Sequence, residues 1–100
     1  MNVIINSVHF RADKKLEAFI TDKVNKLNTY FDGVIVAEVK LKLDNNETRF
    51  NKIVEMRLGV RGNDLYAVKE ARTFEEATDY AVEALRKQLV KYKNRVRHIS

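Results

Sequence analysis

The hydrophobic periodicity of this 100-residue chain predicts an α+β fold of order β-α-β-β-β-α, a four-stranded mixed sheet with two helices packed on one face. Three observations carry that expectation. Two segments repeat apolar residues at helical spacing. Four shorter segments read as strands. The clearest of these strands alternates apolar with charged residues, so the sheet has one face that needs covering and one that does not.

The first strand falls within residues 3–10, where Val3, Ile4, Ile5, Val8 and Phe10 are β-branched or aromatic. From Asp13 the period changes: Leu16, Ile20, Val24, Leu27 and Phe31 recur at helical steps, with Phe19 and Tyr30 widening the stripe. Asp13 can cap this first helix and Gly33 can supply a left-handed stop. The second strand runs from Val34 to Leu43, with Ile35, Ala37, Val39, Leu41 and Leu43 expected inside and Glu38, Lys40 and Lys42 outside. Val34, Val36 and Ile53 are expected beside the charges of the open face. Residues 44–48 form a turn signal, after which Val54, Met56, Leu58 and Val60 alternate with Glu55, Arg57 and Arg61. Gly62-Asn63-Asp64 turns the chain into a short fourth strand around Leu65 to Val68.

The final helix opens on Thr73-Phe74-Glu75-Glu76, a capping box in which Thr73 can accept from the amide of Glu76. Its apolar stripe is Phe74, Ala77, Ala81, Leu85, Leu89, Tyr92, Val96 and Ile99. Acidic residues occupy its first turns and basic residues its last, each opposing the helix dipole. A helix lies between the first and second strands, so the first must pair in parallel through a crossover, while the others can form an antiparallel meander.

Length and a hydrophobic content of 45% fit one domain spanning 1–100. The absence of cysteine excludes disulfides, thiolate catalysis and thiolate metal ligands. No signal-peptide or membrane-spanning stretch stands out, so a cytosolic protein is expected. Asn46-Glu47-Thr48 matches a glycosylation acceptor that a cytosolic protein does not use. His9 and His98 lack metal-ligand spacing, and the chain has no phosphate loop and no nucleophile elbow. Helix capping accounts for the Glu75-Glu76 pair. No enzymatic activity, cofactor or metal is expected.

Charge is the informative feature. Residues 86–100 contain Arg86, Lys87, Lys91, Lys93, Arg95 and Arg97 and no carboxylate side chain, whereas residues 1–85 hold thirteen basic and fourteen acidic residues. The whole net charge of +5 therefore originates in the last helix. Such a local field suits a polyphosphate partner, RNA or DNA, although cations near a helix C-terminus also stabilise the helix itself. On a helical wheel Arg86, Lys93 and Arg97 fall on one flank of the stripe, and Lys87 and Lys91 on the other. The first helix adds Lys14, Lys15, Lys23 and Lys26, diluted by Asp13, Glu17 and Asp22. Side by side, the two helices would form a basic groove. Tyr92 lies on the apolar stripe and is assigned to the core. Gly59-Val60-Arg61-Gly62 matches the glycine-x-x-glycine loop of KH modules, but in a strand–turn context that does not suit it.

Lys23-x-x-Lys26-Leu27-x-x-Tyr30-Phe31-Asp32, Leu65-Tyr66-Ala67 and Leu85-x-x-Gln88-Leu89-x-Lys91-x-Lys93 together resemble the short ribosome hibernation-promoting factors, over nearly the whole chain. Where that family commonly has Asp-x-Tyr-x-Ala-Ile-Asp, this chain has Thr73-Phe74-Glu75-Glu76-Ala77-Thr78-Asp79, keeping only Ala77 and Asp79. The resemblance implies a fold related to double-stranded RNA-binding domains and a site in the mRNA and tRNA channel of the small ribosomal subunit. The protein would there inhibit translation in stationary phase by occupying the channel. Lys23, Lys26, Lys87, Lys91 and Lys93 match basic positions of the motif and would contact ribosomal RNA, while Arg86, Arg95 and Arg97 join them on charge alone. The C-terminal dimerising domain of longer members is not expected in a chain ending at Ser100. A module docking an acidic protein and a general double-stranded RNA binder are the alternatives.

Overall fold

The computed structural model describes residues 1–30, 33–44 and 50–99, with side chains as far as Arg95. The elements are β1 (Asn2–Ser7), α1 (Lys14–Asn25) followed by a 3₁₀ turn (Lys26–Thr29), β2 (Val34–Leu43), β3 (Lys52–Val60), β4 (Asn63–Ala71) and α2 (Phe74–Ile99). The sheet order is β1-β2-β3-β4, with β1 parallel to β2 and the other pairs antiparallel. The mixed α+β architecture thus follows the expected order.

One face of the sheet is sealed by both helices. Ile20, Val24 and Leu27 from the first helical segment and Ala77, Ala81, Leu85 and Leu89 from α2 join Ala37, Val39, Leu41, Val54, Met56 and Leu58 in one buried cluster. Phe10, in the β1–α1 connection, stacks on Phe74 at 5.1 Å and ties that connection to the start of α2. Both caps form as expected: Leu16 N–H donates to Asp13 Oδ1 at 2.8 Å, and Glu76 N–H donates to Thr73 Oγ1 at 3.1 Å. Among the described residues no helix is long and apolar enough to cross a membrane.

Several expectations change at the boundaries. β1 stops at Ser7 rather than reaching Phe10, because His9 takes a left-handed backbone (φ 65) that turns the chain out of the sheet. The first helix tightens into the 3₁₀ turn after Asn25, and β4 is longer than expected, running on to Ala71. A register shift between Val34 and Val36 reverses the predicted facing at the start of β2: Val34 is buried, and Ile35 is 64% exposed. Gly59 lies opposite Val36, and a Cβ there would stand 2.8 Å from Val36 Cγ1, so the irregularity depends on a residue without a side chain. Leu43, of inward parity, ends its strand exposed. Gly62 supplies the positive φ (79) of the β3–β4 turn. Phe31, residues 45–48 of the predicted turn, and the Val96 and Ile99 side chains lie outside the described residues.

Two contacts set the position of α2 on the sheet. Tyr66 N–H donates to Gln88 Oε1 at 3.3 Å and Gln88 Nε2 donates to Tyr66 O at 2.9 Å, so one carboxamide satisfies both outward backbone groups of a β4 residue. One turn later, Tyr92 donates its hydroxyl to Arg61 O at 2.8 Å, at the β3–β4 turn. Tyr92 thus packs on the core as predicted and is also anchored to the hairpin. A 26-residue helix is about 39 Å long, and the molecule's longest dimension is 49 Å.

Thr78 is fully buried, and its Oγ1 finds no hydrogen-bond partner among the described residues. A buried hydroxyl without a partner costs its desolvation. Thr78→Val, nearly isosteric, is expected to raise stability by about 1 kcal/mol, read as a higher Tm in thermal denaturation. A lower Tm would mean that the hydroxyl is satisfied.

Candidate nucleic-acid interface

The cationic side chains divide by what they touch. In the cleft between α1 and α2, Lys23 Nζ lies 3.5 Å from Asp79 Oδ1 and 5.4 Å from the Phe19 ring centroid. Lys26 Nζ pairs with Asp22 at 3.6 Å, one helical turn back. Arg86 forms a two-pronged contact with Glu83, through Nη2 at 2.6 Å and Nε at 3.0 Å, and its guanidinium lies 5.8 Å from the Tyr30 ring centroid. That hydrogen bonding holds the Glu83 carboxyl below its ordinary value, helped by the charges of Arg86 and Lys87, and raises Arg86 above its own. The basic groove expected between neighbouring helices is therefore charge-compensated. The helices do pack together, but Asp79 meets Lys23 between them, and Asp22 and Glu83 pair with Lys26 and Arg86 along their own segments.

Beyond Arg86 the compensation ends. Lys87, Lys91, Lys93 and Arg95 form no ion pair among the described residues. Helical spacing puts Lys93 on the α1 flank with Arg86, and Lys87, Lys91 and Arg95 toward the flank of Gln88, which lies over β4. Lys91 and Arg95 are one turn apart beside Asn63 and Leu65. The cations of α2 thus divide between its two flanks as the helical wheel predicts, and the expected basic groove with Lys23 and Lys26 is occupied in part by carboxylates. Lys23 and Arg86 are engaged in docking the helices. The Arg97 side chain lies outside the described residues.

The open face of the sheet is compensated in a similar way. Arg57, in the middle, reaches Glu38 on β2 at 2.7 Å and Asp64 on β4 at 3.1 Å, while Lys42 reaches Glu55 at 3.1 Å. The hydrogen bond from Arg57 lowers the Glu38 carboxyl, and the same contact raises Arg57. Tyr66 and Val68 are exposed on this strand pair's outer face, and Phe50 is exposed under Arg72, whose guanidinium sits 5.0 Å from its ring centroid. Lys14, Lys15, Lys40, Lys69 and Arg72 also form no ion pair among the described residues, but each lies within three residues of a carboxylate in the sequence, whereas the far half of α2 carries cations with no acidic side chain among them. The inter-helix pair of Lys23 with Asp79 and the Glu83–Arg86 pair within α2 escape a reading of charge runs because Glu83 and Asp79 lie upstream of the basic stretch. Their i, i+3 and inter-helix spacing is the signal that could have exposed them.

Removing Glu83's charge while keeping its shape releases Arg86 from its partner. Glu83→Gln is expected to elute from heparin at higher salt than the parent chain, with little change in Tm; unchanged elution would mean that Arg86 does not face the polyanion.

The family model described as "Sigma 54 modulation protein / S30EA ribosomal protein" matches residues 3–97. The Ribosome hibernation promoting factor of Escherichia coli K12 is 28% identical over 97 residues, covering 97% of this chain and 96% of the relative. That of Salmonella typhimurium is 26% identical over 97 residues, covering 97% and 98%. Among solved structures, a ribosomal subunit interface protein from Coxiella burnetii superposes with a TM-score of 0.83 at 18% identity, covering 94% of this chain and 99% of that one. The N-terminal domain of Thermus thermophilus Protein Y gives a TM-score of 0.80 at 22% identity, covering 92% and 99%. These two structures share the fold described above. With nearly its whole length matched by the family model, this chain belongs to the sigma 54 modulation protein / S30EA ribosomal protein family.

Proposed function

We propose that the chain is a non-enzymatic, RNA-binding ribosome hibernation factor. It occupies the mRNA and tRNA channel of the small ribosomal subunit and inhibits translation in stationary phase by steric exclusion. The observation that carries this reading is the set Lys87, Lys91, Lys93 and Arg95 on the outer half of α2, none of them in an ion pair among the described residues, in a family whose named relatives are ribosome hibernation promoting factors. Arg97 extends the set by charge, and Lys26, exposed and weakly paired, can exchange Asp22 for a phosphate. Lys23, through Asp79, and Arg86, against the Tyr30 ring, contribute chiefly by holding the helices in place.

In this reading phosphate contacts position the protein, and the shape of folded RNA supplies selectivity, since lysine-rich helix flanks reach backbones more readily than base edges. The α1–β2–β3–β4–α2 succession is taken as the part related to double-stranded RNA-binding domains. Residues 1–100 act as one ribosome-binding unit. The partner is ribosomal RNA of the small subunit, in the cytoplasm, with no cofactor.

The test is sedimentation of stationary-phase lysate through a sucrose gradient, where the protein is expected in small-subunit or 70S fractions. Remaining at the top in low salt would overturn the proposal and favour docking to an acidic protein. Affinity for a plain RNA duplex equal to that for purified small subunits would favour a general duplex binder instead. If about four cations neutralise phosphates, a fourfold rise in salt should weaken subunit binding on the order of a hundredfold. The Lys87→Gln, Lys91→Gln, Lys93→Gln triple variant should show a visibly shallower salt slope.

A further inference from the structure

A cleft of about 150 Å³ opens between the second half of α2 and the β3–β4 hairpin, lined by Asn63, Leu65, Gln88, Lys91, Tyr92 and Arg95. Its chemistry differs from that of the neighbouring clefts. The one on the open sheet face contains Glu38 and Glu55 beside its cations, and the one beside Tyr80 contains Glu83. Among the described residues no carboxylate lines the hairpin cleft. Its wall is also rigid: Gln88 is held by both backbone groups of Tyr66, and the Tyr92 hydroxyl is held by Arg61 O. Leu65 and the Tyr92 ring supply an apolar surface, while Lys91 and Arg95, one helical turn apart, supply positive charge on the same flank.

An apolar floor with an aromatic ring under a two-cation rim has the composition of a nucleotide site, the ring and the aliphatic side chain suiting a base and the cations a phosphate. We infer that this cleft receives a single unstacked nucleotide of the bound RNA, its base against Leu65 and Tyr92 and its phosphate between Lys91 and Arg95. The inference rests on RNA being the ligand of α2, as proposed above. It adds a point at which the RNA is gripped by a base as well as by its backbone. Single-stranded or bulged positions offer such a base without the cost of unpairing.

Two measurements on the full chain test it. In amide NMR spectra, adenosine and uridine 5′-monophosphates are expected to shift Leu65, Gln88 and Tyr92 saturably, and inorganic phosphate at equal concentration to shift them less. Equal shifts from nucleotide and phosphate would overturn the role of the base. Arg95→Gln should weaken the nucleotide response, and an undiminished response would overturn the phosphate assignment. Asn63→Trp obstructs the cleft from an exposed position without altering charge, and is expected to weaken binding to purified small subunits about tenfold. Subunit binding unchanged in a folded Asn63→Trp variant overturns the inference and leaves the ribosomal reading intact. Failure of the parent chain to bind subunits overturns that reading, and with it the RNA nucleotide as occupant, even if free nucleotides still shift the cleft.

Discussion

Burial of the Ala77, Ala81, Leu85 and Leu89 stripe of α2 under one face of the sheet governs the rest of the molecule. The two alanines and two leucines of the stripe seat the helix against β3 and β4. Once that stripe is seated, α1 has only the remaining part of the same face to cover. Ile20, Val24 and Leu27 do so, and the two helices become neighbours. The flanks of α2 are then fixed relative to the hairpin, and with them every cation the helix carries.

The charge pattern follows from this packing rather than from composition. Lys23 meets Asp79 where α1 and α2 face each other, and Lys26 and Arg86 pair with Asp22 and Glu83 about one turn away along their own helical segments. On the open sheet face Arg57 bridges three strands through Glu38 and Asp64. Solvent-exposed pairs of this kind stabilise little, but they cancel the field locally. Beyond Arg86 no acidic side chain remains along α2, so a net charge of +5 distributed over a chain with fourteen acidic residues becomes a strongly one-ended potential.

Most of the fold was legible because both periods are undisturbed over long stretches. The α2 stripe, the Asp13 and Thr73 caps and the Val54-Met56-Leu58-Val60 alternation all read directly. What escaped was non-local. The shift at Val34 and Val36 depends on a glycine opposite, on another strand, and it inverts the facing of Ile35 without altering local propensity. The end of β1 depends on one left-handed histidine, a residue type that gives no turn signal by itself. The candidate site was half legible: the cations of the last helix could be named, but not that Lys23 and Arg86 would be taken up by Asp79 and Glu83, nor that Lys91 and Arg95 would overhang a hairpin cleft. Pairing between elements, as of Lys23 with Asp79, is decided by how two helices are rotated about their axes, which a single sequence does not state, whereas the Glu83–Arg86 pair follows a helical spacing that a reading of charge runs passes over.

The Gln88 carboxamide also bears on assembly. By taking both outward-facing backbone groups of Tyr66, it acts as a short surrogate strand in the middle of the β4 margin. A foreign chain adding there would have to displace it, so zippering onto that side is disfavoured. The opposite margin, β1 at Asn2–Ser7, has no such side-chain latch among the described residues. Strand exchange or fibril growth from this protein would therefore begin at its amino-terminal edge.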